Sequence, residues 1–263
     1  MSHVPDEAVY ALWDSLSDYG ANSTHDALRH AMRTISGWIC ADNALWLGLV
    51  HIPSHRRHAP DPLLGWRIGA VEILNPEVVP PAHVREGLKI MQTPDPGDTS
   101  VLIASTMGRF RAYSLQSGIV DLAALEKTEH YDFFYRRLGI KDRIWVSFPV
   151  NADAESLFLF DRCAADRHFS QTDIALASMA LRGIKWFHRQ LLCGRGLGLC
   201  QEPLTPAERR LVPELLHGDA EKIIAACLGL TPATVHQYAV SIYRKFGVHG
   251  HTKFMAIWLR GRV

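Results

Sequence analysis

The chain has 263 residues, 48% apolar and 21% charged, with a net charge of +1 and a mean hydropathy of −0.02. This composition gives a folded protein of one or two domains with a proper core and excludes a disordered or low-complexity chain. It also excludes a general polycation, so any binding to nucleic acid has to be local to one segment.

No apolar run approaches the ~18 residues needed to cross a bilayer. The opening MSHVPDEAVY lacks a basic stretch followed by an apolar one, so the expectation is a cytoplasmic protein with no membrane contact. Cysteines stand at 40, 163, 193, 200 and 227, an odd number with no CxxC pair. Buried thiols are expected, with no metal site and no disulfide framework.

In chain order, residues 5–19 and 24–40 read as helices, the second with Leu28, Ala31, Met32, Ile35 and Ile39 at helical spacing and Thr24 as N-cap. Strands follow at 45–52 and 63–74, separated by a loop rich in proline and histidine. Pro80-Pro81 opens a short helix, and Thr93 to Asp98 is a turn cluster. Helical stretches are expected at 99–107 and 122–138, then a hairpin of 144–150 with 156–161. One long helix is expected over 171–192, with Ser170 and Asp173 as a capping box and Phe169 and Ile174 as a hydrophobic staple. Helices flanking hairpin-joined strands point to an α+β sheet domain over 1–193. The glycines and proline of 194–203 mark a linker.

From 204 the punctuation becomes dense. Thr205, Pro206 and Glu208 take the N-cap, N1 and N3 positions of a helix that Gly218 ends. A second helix, capped by Asp219, runs over 220–228 and stops at Gly229. Thr231 and Pro232 open a third that runs to Phe246, and a fourth spans 251–260. Two short helices joined by a glycine-containing turn form a helix-turn-helix, with the second as reading helix. Its core stripe is Val235, Tyr238, Ala239, Ile242 and Phe246. The opposite stripe holds Ala233, His236, Gln237, Val240, Ser241 and Arg244, side chains a major groove accepts. Over 202–263, eight Lys/Arg face five Asp/Glu, a mild basic surplus.

Thr-Pro-Ala-Glu208, Lys222-Ile-Ile-Ala225, Leu228-Gly-Leu-Thr231, Thr234-Val235 and Ile242-Tyr-Arg-Lys-Phe-Gly-Val248 together resemble the LuxR-type helix-turn-helix. The resemblance implies an all-α four-helix domain over 204–263 that binds double-stranded DNA as a homodimer on paired half-sites, with RNA polymerase as a further partner. It places His236, Gln237 and Val240 against bases. Thr231, Thr234, Arg244 and Lys245 fall near phosphates, with Lys222 contributing from the preceding helix. Several positions depart from the family. Lys is common where His236 stands, His where Tyr238 stands, acids where Ile223 stands, and basic residues where His249 and His251 stand. Pro213 falls inside a helix and removes a backbone donor there.

Residues 1–193 resemble GAF and PAS sensor domains in element order and in their place before such a domain. No phosphoacceptor acidic pair follows an early strand, and the Trp, Tyr and Asp-Pro pattern of an acyl-homoserine-lactone domain is not matched. Trp46, Trp66 and Trp145, on strand-like segments, are the candidates for lining a small-molecule effector site; simple core is the competing reading. The aromatics Tyr131, Phe133, Phe134 and Tyr135 carry the same pair of readings. His51, His55 and His58 lack an acid or cysteine at ligand spacing and read as a solvated loop. No GxSxG turn or phosphate cradle is present, so neither an enzyme nor a cofactor is expected. The helix over 171–192 presents Trp186 and Leu191 on a second apolar side that suits a partner subunit. The alternative to a regulator is a protein-interaction module or anti-activator with weak or no DNA binding.

Overall fold

The computed structural model describes residues 6–51, 61–91, 93, 97–163, 168–197 and 204–259. His55, His58, residues 94–96 of the turn at Thr93–Asp98 and the linker positions 198–203 lie outside them.

Helices α1 (Asp6–Ser17) and α2 (Thr24–Trp38) precede strands β1 (Asn43–His51) and β2 (Trp66–Ile73). Then come α3 (Pro81–Ile90), α4 (Asp98–Ser105), β3 (Arg111–Ser114), α5 (Leu122–Leu125) and α6 (Glu129–Tyr131), which widens into a π turn over Asp132–Arg136. Strands β4 (Asp142–Asn151) and β5 (Ala154–Arg162) lead to α7 (Gln171–Arg182) and α8 (Lys185–Cys193). The C-terminal helices are α9 (Pro206–His217), α10 (Glu221–Leu228), α11 (Pro232–Lys245) and α12 (His251–Leu259). No single helix among the described residues is long and apolar enough to cross a membrane.

The sheet has five strands in the order β2-β1-β5-β4-β3, each pair antiparallel. Every residue of the central β5 is buried, which follows from cover on both faces. Cross-strand partners share a face, so the register sorts the side chains. Leu159 sits opposite both Leu45 and Trp145, whereas Phe158 sits opposite Trp46 and Val146. The Trp46 face packs against α1, α2, α7 and α8. The Trp145 face carries a separate core with residues of α3, α4 and the 115–140 segment.

Polar groups on β5 are paired, as burial requires. Arg143 clasps Asp161 at 2.5 and 3.1 Å, and Arg111 meets Glu155 at 2.7 Å. Arg162 donates to the carbonyls of Ile39 and, at 2.7 Å, His168.

Five expectations need correction. The 171–192 helix breaks at Gly183-Ile184, where Ile184 takes φ −112° and ψ 53°. The break orphans two carbonyls of α7, and side chains satisfy them: Trp13 Nε1 donates to Ala180 O at 2.7 Å and His188 Nε2 to Leu181 O at 2.8 Å. Leu191 is wholly buried in the first core, not offered to a partner. The 122–138 stretch is two short helices and a π turn, because Thr128 accepts from the Tyr131 amide and starts a new helix. The expected linker begins as core: Leu197 is 4% exposed and packs into the first core. Thr24 is the first residue of α2, and the cap position belongs to Ser23 without a side-chain bond. Strand β3 is an addition that short, unalternating sequence did not announce.

Candidate functional site

The helical domain is built by its caps. Thr205 and Glu208 form the reciprocal capping box of α9, and Ser170 and Asp173 form that of α7. At the start of α10 the cap position is Ala220 without a side-chain bond, so Asp219 does not cap it. Gly229, at φ +65°, turns the chain from α10 into α11, and Thr231 caps α11 by accepting from the Thr234 amide at 3.2 Å. The two helices meet at 105°, inside the ~90–120° range of helix-turn-helix units. Leu211, Leu215, Ile224, Val235, Ala239, Ile242, Phe246 and Phe254 hold the domain together.

With Val235, Ala239 and Ile242 turned inward, α11 turns His236, Gln237, Val240 and Arg244 outward, all exposed. Val240 is 50% exposed, an apolar side chain left in water by the fold. The first domain, present in the same chain, does not cover this stripe. Thr231 and Lys222 are also exposed and Thr234 half-buried. His236 Nδ1 lies 3.0 Å from Glu221 Oε1 on the neighbouring helix, with the rest of its ring free to solvent.

Two expected members of the set face elsewhere. Lys245 is 8% exposed and its Nζ lies 2.6 Å from Glu208 Oε2. Ser241 donates its hydroxyl to Glu208 Oε1 at 2.7 Å. Lys245 stands three residues after the core residue Ile242, a spacing that returns a side chain to the same face. Burial pushes the Glu208 carboxyl up, but hydrogen bonds from Lys245, the Thr205 amide and Ser241 outweigh it and hold it at about 2. Lys245 is therefore a structural cation that ties α11 to α9, and it is removed from the phosphate-contacting set.

In the first domain, a cavity of about 310 Å³ lies between the Trp145 face of the sheet and α3, α4 and the π turn. Trp66 and Trp145 line it, as do Phe134 and Tyr135. Trp46 does not: it is buried on the opposite face, donating from Nε1 to Ser156 Oγ at 2.8 Å. Sequence reasoning missed the polar groups of the wall. Thr99 Oγ1 lies 2.6 Å from His130 Nε2 and accepts from Tyr135 OH at 3.3 Å. His83 stacks on Phe133 at 4.0 Å, and burial pushes its imidazole down, towards the neutral form. Burial likewise raises the Tyr135 phenol, so both stay uncharged at neutral pH. Arg67 and Arg143 reach the wall already paired with Asp61 and Asp161, and no carboxylate lines the cavity among the described residues. Nothing in the spacing of these residues signals a common wall, because they come from four separate elements.

Outside these two places, Glu214, His217 and Asp219 bring three ligand-type atoms within 4.8 Å of one another at the end of α9, on the surface.

Residues 202–257 match the family described as bacterial regulatory proteins, luxR family. The match falls on the helical domain. The chain is also similar to the transcriptional regulatory protein UhpA of Salmonella typhimurium, at 48% identity over 106 residues, which is 39% of this chain and 49% of that protein. UhpA of Escherichia coli is 48% identical over 48 residues, 18% of this chain and 24% of its own. The chain thus spans half or less of the length of these curated relatives. Among solved structures, SdiA in complex with octanoyl-rac-glycerol is similar at a TM-score of 0.47 and 14% identity, over 99% of this chain and 97% of that one. The matched segment contains the turn between α10 and α11 and the exposed outer stripe of α11.

Proposed function

We propose that this chain is a DNA-binding transcription regulator of the cytoplasm, not an enzyme. Its luxR-family domain reads duplex DNA through α11, and its sheet domain senses a small molecule. The single observation that carries the DNA reading is the exposed stripe His236, Gln237, Val240 and Arg244 on a luxR-family helix-turn-helix.

Each side chain suits a groove contact. The Gln237 amide both donates and accepts, as adenine N7 and N6 require, and Val240 offers a surface for a thymine methyl. Arg244 and Lys222 supply cations for phosphates. Thr231 and Thr234 stand at the N-terminus of a 14-residue helix, where backbone N–H groups favour an anion. Ser241 and Lys245 are left out of the set, being engaged by Glu208. A single short reading helix with few cations gives modest half-site affinity, so the account includes a homodimer on paired half-sites and contact with RNA polymerase.

The sensing role rests on the cavity. Its walls are apolar apart from hydroxyls, two imidazoles and two arginines whose charges are already paired with Asp61 and Asp161, so it suits an uncharged, mainly apolar molecule with one polar group. The proposed units are 1–193, with 194–197 packed on it through Leu197, and 204–263.

Fluorescence anisotropy with duplex DNA over a salt series tests the DNA reading. The logarithm of affinity is expected to fall linearly with the logarithm of salt concentration. A protein-interaction module is the second reading, and it draws on Ile223 and Leu230, exposed at 52% and 36% beside α11. No binding even at low salt would favour it.

A further inference from the structure

The sheet separates the cavity from the chain that leads to the luxR-family domain, and at one point two glycines leave it without side chains. In the pairing of β1 with β2, Gly48 faces Ala70 and Leu49 faces Ile68, so Gly69 is the extra residue of a β-bulge. On one side of this point Leu47, Leu49 and Ile68 line the cavity. On the other, two glycines leave a notch, and Leu197 fills it. A methyl group on Gly48 would stand 2.6 Å from Leu197 Cδ1, and one on Gly69 2.6 Å from Cδ2. Glycine at both places is what lets this leucine lie against the sheet.

The segment is fastened on both sides. The Leu197 amide donates to Leu192 O at 2.8 Å. Arg195 lies 4.7 Å from the Trp46 ring centre and donates to Glu72 of β2 at 3.3 Å. Its neighbours belong to the other core: Cys193 and Leu204 are part of the helical-domain cluster. A methyl group on Gly196 would collide with Leu204. Within residues 193–197, then, the chain touches both cores in alternation.

We propose that Leu197, seated in the Gly48/Gly69 notch, transmits occupancy of the cavity to the luxR-family domain. The inference rests on the sensing role given above to the cavity and names how that site is coupled. A molecule that presses on Leu49 and Ile68 bears directly on the bulge, where the ladder is already interrupted. The notch changes shape with it. The coupling requires a second, unseated arrangement of Leu197 beside the seated one in the structure, so that a ligand favouring either shifts the other end of the segment.

The test uses the full chain and N-phenyl-1-naphthylamine, a neutral apolar fluorophore. Amide exchange is followed by mass spectrometry. In the unaltered protein the probe is expected to slow exchange in α3 and α4 and to change exchange in 193–197 and α9 on the order of fivefold. In Leu197→Ala the probe affinity stays within about twofold and α3 and α4 still respond, while the α9 response is lost. Gly69→Ala, which crowds the notch from the sheet side, gives the same loss. The double variant melts higher than the sum of the two single effects, since the new methyl occupies part of the vacated space. If either variant folds poorly, Leu197→Val replaces it, being too short to reach both glycines. Protection of α3 and α4 without any change in 193–197 and α9 overturns the proposal and leaves the cavity reading intact. A full α9 response in Leu197→Ala overturns it as well. Absence of probe binding and of α3 and α4 protection defeats the cavity reading, and the coupling falls with it.

Discussion

Lys245→Met separates two roles for one cation. Glu208 accepts from Lys245 Nζ at 2.6 Å, from the Thr205 amide at 2.6 Å and from Ser241 at 2.7 Å. These bonds hold its carboxyl at about 2 against an ordinary 4.5, despite burial pushing the other way. At ~1.4 kcal/mol per unit, that difference is worth at most roughly 3 kcal/mol of stability, less what solvent screens. Methionine keeps much of the length of the side chain but strands the carboxylate, and breaking a buried pair in this way costs about 3–5 kcal/mol. A domain of this size has about that much to lose, so Lys245→Met should bring it to the edge of unfolding. Native-state amide exchange of α9 and α11 at neutral pH reads the loss directly. Replacing both partners, as in Glu208→Leu with Lys245→Met, should recover most of it, short of the lost cap at about 1 kcal/mol. The acid response has a definite sign. A lowered carboxyl contributes its stability above about 4.5 and loses it as pH falls towards 2. Lys245→Met should flatten that dependence. If the variant instead stays within ~1 kcal/mol of the unaltered protein while its salt slope on DNA falls by about one, Lys245 is a phosphate contact and the reasoning is refuted.

Three further outcomes are expected. His188 is wholly buried, donates to Leu181 O, receives the Ser156 hydroxyl at 2.9 Å and stacks on Phe148 at 4.3 Å; burial pushes its imidazole down to about 4. Its folded value lies below the ordinary 6.5, so the sheet domain should lose up to roughly 3 kcal/mol as pH falls from 6.5 towards 4. Urea unfolding of unaltered protein and His188→Gln across that range checks this, and parallel curves would count against it. Arg244→Ala should weaken binding to all duplexes alike and lower the salt slope by about one, as measured by anisotropy; a change confined to one base position contradicts its phosphate role. Ala104→Phe, on the wall of the cavity, should abolish binding of N-phenyl-1-naphthylamine without loss of helical signal, and unchanged probe affinity would place the probe elsewhere.

The sequence was most readable where local chemistry decides structure. Thr205, Pro206 and Glu208, the glycines at 218 and 229, and Thr231 with Pro232 set the ends of α9, α10 and α11 by bonds within four residues. What it hid depends on residues far apart. The apolar rhythm of 171–192 runs straight through 183–184, and the break is made tenable by Trp13, 167 positions from the carbonyl it satisfies. Trp46 and Trp145 look alike on their strands, and only the register against β5 puts them on opposite faces. The polar wall of the cavity gathers His83, Thr99, His130 and Tyr135 from separate elements, with no shared spacing to announce it. Lys245 was the subtler case, since a cation near a helix end suits both a phosphate and a buried acid until Glu208 is placed beside it.

The most direct measurement is selection of bound sites from random duplex DNA with the unaltered chain and Gln237→Ala in parallel. The account predicts a paired-half-site motif for the unaltered chain. It also predicts that the variant loses preference at one base in each half, at a cost of about 1–3 kcal/mol on the selected site. Identical motifs from both proteins, or no enrichment at low salt, would contradict it.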